Sequence, residues 1–374
     1  MMLWRLRRGG WIFLAVVLVG GIAITVARGK QWVEHEYKMA LFQLIADRVT
    51  HGAPDPQTAV VRLLDYVHSN LHGVGKPVDI EPQEILASGR GWCDQQANVL
   101  VQLARSIPAD GRLVFLHDAN GISPHSVAEV SLDGAWRVVD PLLGVVILNA
   151  EGKLATREEI ANNPQLLADN PQLRSLEHRD NSPDLVSMAH LYQHEPEIFN
   201  TWRGKRKRWM DACPTPLRHW LVYALQELYL TTPSALTMPS ANPHESRLTR
   251  QLFRARHYLL VGREQAAERL LQDLHHQVTD PAVSENAHFF LGQLYVSQGY
   301  FDKALVAFQG LLQAYPRSGW TPLIHAALGQ IYEALGQPAL ALEAYQRSDL
   351  VGVEPLVGQR VATLKILLMQ QRSL

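Results

Sequence analysis

Three tyrosines stand 37 residues apart, at Tyr258, Tyr295 and Tyr332, and a whole register travels with them. Gly262, Gly299 and Gly336 keep that 37-residue spacing. So do Ala267, Ala304 and Ala341, the large trio Leu271, Phe308 and Tyr345, and the small trio Ala255, Gly292 and Gly329. A period in this range marks an array whose units bury their faces only against neighbours. Each unit reads as helix, glycine turn, helix. Small residues let paired helices approach, and large apolar ones fill the space between them. Residues 244–350 hold three such units, and 354–372 reads as a capping helix. Three units and a cap is near the minimum for a stack.

The pattern resembles tetratricopeptide repeats, with Leu291, Gly292 and Tyr295 followed by Ala304, Phe308 and Pro316. The period exceeds the family's usual ~34, which predicts longer loops between units. The first unit departs furthest, with Arg254-Ala255 where the others have Leu-Gly. The resemblance implies a protein partner bound through the repeats. Residues 231–243 (TTPSALTMPSANP) read as a linker before the array.

The chain opens with Arg5, Arg7 and Arg8 before an uncharged run from Gly9 to Ala27 of 19 residues. A helix needs ~20 residues to cross a hydrocarbon core. The arginines hold the N-terminus in the cytoplasm and send the rest outside. Residues 1–30 therefore read as a membrane anchor, with 9–27 in the bilayer. A cleaved signal peptide ending at Thr25 and Ala27 is the alternative. Both readings place residues 31–374 outside the cytoplasm, which is the periplasm if the cell is Gram-negative.

Composition narrows the function classes. Hydrophobic residues make up 47% and charged ones 19%, which excludes a mostly disordered chain. The net charge of −1 supplies no field for nucleic acid. One basic run, Lys205–Arg208 before Trp209, reads as a solvated patch, or more sharply as a contact for anionic headgroups or an acidic envelope polymer. Two cysteines, Cys93 and Cys213, are too few for a disulfide framework. A single Cys93–Cys213 bridge is open to an exported chain and would silence Cys93.

The middle region mixes periods. Residues 32–73 are helical in pattern around a turn at HGAPDP, and Pro82 opens a short helix that ends near Gly89. Cys93 starts a helix through Ala104. Three β-prone runs follow, Leu113–Leu116, His125–Leu132 and Ala135–Val139, with Asp133-Gly134 as a hairpin turn. Residues 145–242 show turn signals between short helices.

Cys93, His125 and Asp140 carry the chemistry. A thiol in the first turn of a helix feels the positive end of the dipole, which favours the thiolate. A histidine can exchange the proton, and a carboxylate can orient that histidine. With a two-residue turn at Asp133-Gly134, Val127 sits opposite Asp140, so His125 and Asp140 are diagonal neighbours on one face. Side chains can close that span of ~7–8 Å. A slip of one residue would part them. The Cys93 amide is a natural oxyanion donor.

This arrangement resembles the transglutaminase-like superfamily over roughly residues 60–145. The matching residues are Gly91, Cys93, Arg105, Ile107-Pro108-Ala109 and Arg112, then His125, Glu129, Trp136 and Asp140-Pro141. Ser106, the inserted Asp110-Gly111 and Ser126-Val127-Ala128 depart from the family pattern. The resemblance implies an α+β, papain-like core over 31–230, with a helix packed on an antiparallel sheet. It implies Cys93 as nucleophile, His125 as general base and then acid, and Asp140 as the orienting carboxylate. The reaction would be acyl transfer or hydrolysis at a protein or peptide amide through a thioester, with no cofactor. Trp92 is the candidate substrate-binding residue, and Gln95 and Gln96 are expected on the helix surface or behind the site. No spacing supports a metal at His117, Asp118 and His125. The rival expectation is a non-catalytic scaffold of an envelope complex, concerned with polysaccharide or cell-wall assembly.

Overall fold

The computed structural model describes residues 39–73, 81–170, 185–199, 247–276, 280–350 and 355–372, together with 173 and 224. The expected span 9–27, the basic run Lys205–Arg208 with Trp209, Cys213 and the linker 231–243 lie outside the described residues. Among the described residues no helix is long and apolar enough to cross a membrane. The chain divides into residues 1–44 with 205–246, and residues 45–204 with 247–374. The second unit carries every element named below.

Helix α1 (Pro56–Asn70) starts at Asp55, whose Oδ1 accepts the Thr58 N–H at 2.8 Å, with Pro56 fixing the first helical φ. Its buried stripe is Val60, Leu63, Leu64 and Val67, the spacing of three and four read in the sequence. Helix α2 (Pro82–Ser88) stops at Gly89, and helix α3 (Cys93–Ala104) runs the length expected of it.

Four antiparallel strands follow, β1 (Asp110–Leu116), β2 (His125–Leu132), β3 (Ala135–Val139) and, after helices α4 (Arg157–Asn162), α5 (Gln165–Ala168) and α6 (Leu185–Leu191), β4 (Glu197–Phe199). Their order in the sheet is β3-β2-β1-β4. The β2–β3 turn has Asp133 at φ 51° and Gly134 at φ 78°. Positive φ at both positions matches the twist of the flanking strands. Leu132 pairs with Ala135 and Ala128 with Val139, the register the sequence predicts. Strand β4 was not legible in the sequence: with three residues it is too short to show an alternating pattern.

Each face of the sheet is covered. On one, Gly111 lies so close to α3 that a Cβ there would meet the Val101 Cα at 3.2 Å. On the other, Val114, Leu116, Val127 and Val138 pack with Val145, Ile147, Ile160, Leu167, Met188 and Tyr192. Glu129, buried in β2, accepts from Arg112 Nε at 2.6 Å across the strand pair, and the Arg112 guanidinium stacks 4.2 Å over the Trp136 ring. Three residues that carry the family resemblance thus tie β1, β2 and β3 together. A buried carboxylate is tolerable only with such a partner.

The array consists of α7 (Arg247–Leu260), α8 (Glu264–His275), α9 (Pro281–Ser297), α10 (Phe301–Ala314), α11 (Thr321–Ala334) and α12 (Pro338–Arg347), capped by α13 (Pro355–Arg372). The size pattern in the repeat has a direct cause. A Cβ on Gly292 would fall 2.3 Å from the Phe308 ring, and one on Gly329 would fall 2.6 Å from Tyr345. The first unit fills its equivalent positions with Ala255 and Leu271, both fully buried: a methyl added on one side and a ring removed from the other.

Gly292→Ala is expected to destabilise the array by about 1–3 kcal/mol through overpacking. Adding Phe308→Leu, which recreates the pair of the first unit, is expected to recover much of the loss. Urea unfolding of the two variants checks both outcomes.

Candidate active site

The site is assembled at the ends of three elements. Cys93 is the first residue of α3, where the leading N–H groups have no intrahelical carbonyl to bond. Two glutamines brace the turn that delivers it. Gln95 Oε1 accepts the Trp92 N–H at 3.0 Å, and Gln96 Nε2 donates to the Gly91 carbonyl at 2.7 Å. Gln96 is buried behind the site. The Cys93 thiol is free and half-buried.

His125 opens β2, and Asp140 follows directly on β3. The hairpin register brings them together: His125 Nε2 lies 2.6 Å from Asp140 Oδ2. Asp140 is 1% exposed, and its Oδ1 accepts the Leu143 N–H at 3.1 Å. The turn behind it is closed by the Gly144 N–H to the Asp140 carbonyl at 3.0 Å, and His68 Nδ1 lies 3.1 Å from the Pro141 carbonyl. Both carboxylate oxygens are therefore engaged, which fixes the plane of the group.

With Nε2 committed to Asp140, Nδ1 is the ring nitrogen left to exchange a proton with Cys93. The imidazole and the Ser126 backbone N–H are the neighbours that favour the ionised sulfur. Burial alone pushes the Cys93 thiol up. The His125 bond and charge, with the Ser126 amide, outweigh it and bring the thiol below its ordinary value. Burial likewise pushes His125 down, but the Asp140 charge and bond, joined by Cys93, carry it up to about 10. The two shifts favour the same form of the pair, a thiolate beside an imidazolium. Beneath it, Tyr192 is buried, and burial followed by the charges of Asp140 and Glu129 drives its hydroxyl well up.

A cavity of about 710 Å³ adjoins His125. Pro124, Leu142, Leu143, Met188 and Leu191 give it apolar walls, with Asp118, His190 and His194 as its polar members. Asp118 also shapes the loop after β1: its Oδ1 accepts from the Asn120 and Ile122 amides at 2.8 and 2.9 Å, and the Ile122 bond is the main cause of its lowered pKa. Trp92 is not among the lining residues; its exposed ring lies against Gly73. Among the described residues no group of three or more His, Cys, Asp or Glu is arranged to hold a metal ion.

Sequence reasoning missed the Ser126 amide and the wall formed by Met188, His190, Leu191 and His194. A backbone donor leaves no trace in residue identity, and that wall lies in the stretch where turn signals dominate.

Residues 43–141 match the transglutaminase-like superfamily, and residues 285–318 and 324–349 match the tetratricopeptide repeat. These two repeat matches cover the second and third units of the array, the ones with the Gly-aromatic pairs. No curated protein and no solved structure matches the chain. The segment that holds Cys93, His125 and Asp140 is a transglutaminase-like core domain, and the helices after it are tetratricopeptide repeats within 285–349.

Proposed function

We propose that this protein is a cysteine-dependent acyltransferase or amidase acting on protein or peptide amides. The observation that carries this reading is the pairing of His125 Nε2 with Asp140 Oδ2 beside the Cys93 thiol, which that imidazole lowers while it is itself raised to about 10. In the first step the Cys93 thiolate attacks the amide carbonyl carbon, and the oxygen takes the displaced electron pair. Amides at the start of α3 are placed to receive that oxyanion. His125 gives its Nδ1 proton to the leaving nitrogen, the C–N bond breaks, and a thioester remains on Cys93. An amine or water then loses a proton to His125, attacks the thioester and releases the thiolate. Asp140 keeps the imidazole in orientation and stabilises its charge throughout.

The cavity flanked by His125 suits the amine side of the substrate, because leaving and entering groups both exchange protons with that imidazole. The tetratricopeptide repeats suggest protein binding, in keeping with a protein substrate or partner. From the three arginines and the apolar run 9–27 we also infer that the domain works outside the cytoplasm at a membrane.

The thiolate can be read without knowing the substrate. The rate of Cys93 alkylation by iodoacetamide is expected to stay high well below the ordinary thiol pKa. In His125→Gln the inflection is expected at or above that value, because burial then acts without the imidazolium. At pH 7 this slows alkylation at least ~tenfold, since an ordinary thiol is only a few per cent ionised there. An unshifted inflection in the parent protein would sink the reading.

Labelling by a thiol-directed activity probe is expected to vanish in Cys93→Ala and to fall strongly in His125→Gln. In Asp140→Asn it is expected to fall while the fold persists, with circular dichroism as the check. The sign of the pH dependence follows from the pair: labelling falls on the acid side as the thiolate is protonated. On the alkaline side, amide turnover falls as His125 loses its proton near 10.

A further inference from the structure

The repeat array is joined to the catalytic turn by a short path. Residues 72 and 90 form a β-bridge: the His72 N–H donates to the Gly89 carbonyl at 3.1 Å, and the Gly91 N–H donates to the His72 carbonyl at 3.0 Å. Arg90, three residues before Cys93, points from this bridge into the array. Its guanidinium stacks 4.4 Å over the fully buried Trp320, and its Nη2 donates to Asn286 Oδ1 at 3.2 Å. The same Asn286 oxygen accepts from Trp320 Nε1 at 3.0 Å, so one side-chain amide fixes both partners. Burial lowers the Arg90 pKa, and the charge of Glu285 offsets part of that.

Flanking contacts are made to measure. A Cβ on Gly89 would come within 3.2 Å of the Phe290 ring, the edge of the His72 ring meets Trp320 at 6.2 Å, and Arg256 reaches Asn70 Oδ1 at 3.3 Å while stacking over Phe290. His257 Nε2 lies 3.2 Å from the Gln83 carbonyl. The contacts come from α7, α9 and the start of α11. The surface they form is therefore filled by the protein's own core.

We propose that this surface of the array is an internal docking site for the bridge at residues 72 and 90, and that Arg90 is a positioning residue for the nucleophile. Through Arg90 the array fixes the Gly91-Trp92 turn, whose carbonyl and amide are then gripped by Gln96 and Gln95, and so sets where the Cys93 sulfur meets His125 and the Ser126 amide. Planarity is part of the role: a guanidinium can stack on indole and donate to an amide at once, whereas an ammonium offers only the point charge. This inference rests on Cys93 being the nucleophile of the proposed reaction.

The test uses the full chain and the pH profile of iodoacetamide alkylation at Cys93. Arg90→Ala is expected to shift the thiol inflection upward and to slow alkylation at pH 7 by at least ~threefold, because displacing the sulfur weakens the bonds that hold it ionised. Arg90→Lys is expected to restore less than half of the loss. Gly329→Ala, which crowds Tyr345 in the third unit, is the control and is expected to leave the inflection in place. If Arg90→Ala does not fold, Trp320→Phe, which removes the indole donor, is read in the same way. An unchanged profile in the folded variant would overturn the proposal, as would an equal shift in Gly329→Ala. A parent thiol that titrates as an ordinary one would instead overturn the proposed function.

Discussion

Strand register is the constraint on which the site depends. His125 and Asp140 meet because a two-residue turn at Asp133-Gly134 puts them diagonally across one hairpin, and one inserted residue would send them to opposite faces. The turn itself rests on backbone chemistry, a pair of positive φ angles that Asp-Gly adopts at little cost. Everything polar in the centre follows from that alignment. The carboxylate raises the imidazole, the imidazole lowers the thiol, and burial, which opposes both shifts, loses.

Burial still shapes the outcome, because it separates residues that hold a charge from those that cannot. Glu129 lies as deep as Asp140, yet it is spent on Arg112 and through it on Trp136, a structural tie across three strands. In the array the currency is volume. Gly292 and Gly329 sit under aromatic rings, while Ala255 sits opposite a leucine, so the helix pairs of all three units close by different divisions of similar space.

Much of this could be read in the residues before any coordinates. The 37-residue register located the helices of the array, the hairpin turn gave the strand pairing, and Cys93 at a helix start with His125 and Asp140 in order marked the candidate site. These signals survive in a sequence because they are local or periodic. What was hidden is neither. Strand β4 is three residues long and finds its place only by pairing with β1. The Ser126 amide is backbone. The cavity wall at Met188 and Leu191 approaches His125 from far along the chain, and the stacking of Arg90 on Trp320 joins the turn before Cys93 to the array. An arginine and a tryptophan so distant carry no mark of each other in a single sequence.

A thiol whose ionisation is favoured has a second chemistry. Its thiolate form attacks a peroxide oxygen, the O–O bond breaks, and the sulfur becomes a sulfenic acid that is no longer nucleophilic until a reductant restores the thiol. The imidazole that lowers the Cys93 thiol therefore also makes it more oxidisable, and a half-buried position at the foot of α3 shelters it. Reducing conditions are thus a requirement for observing this centre in its working form.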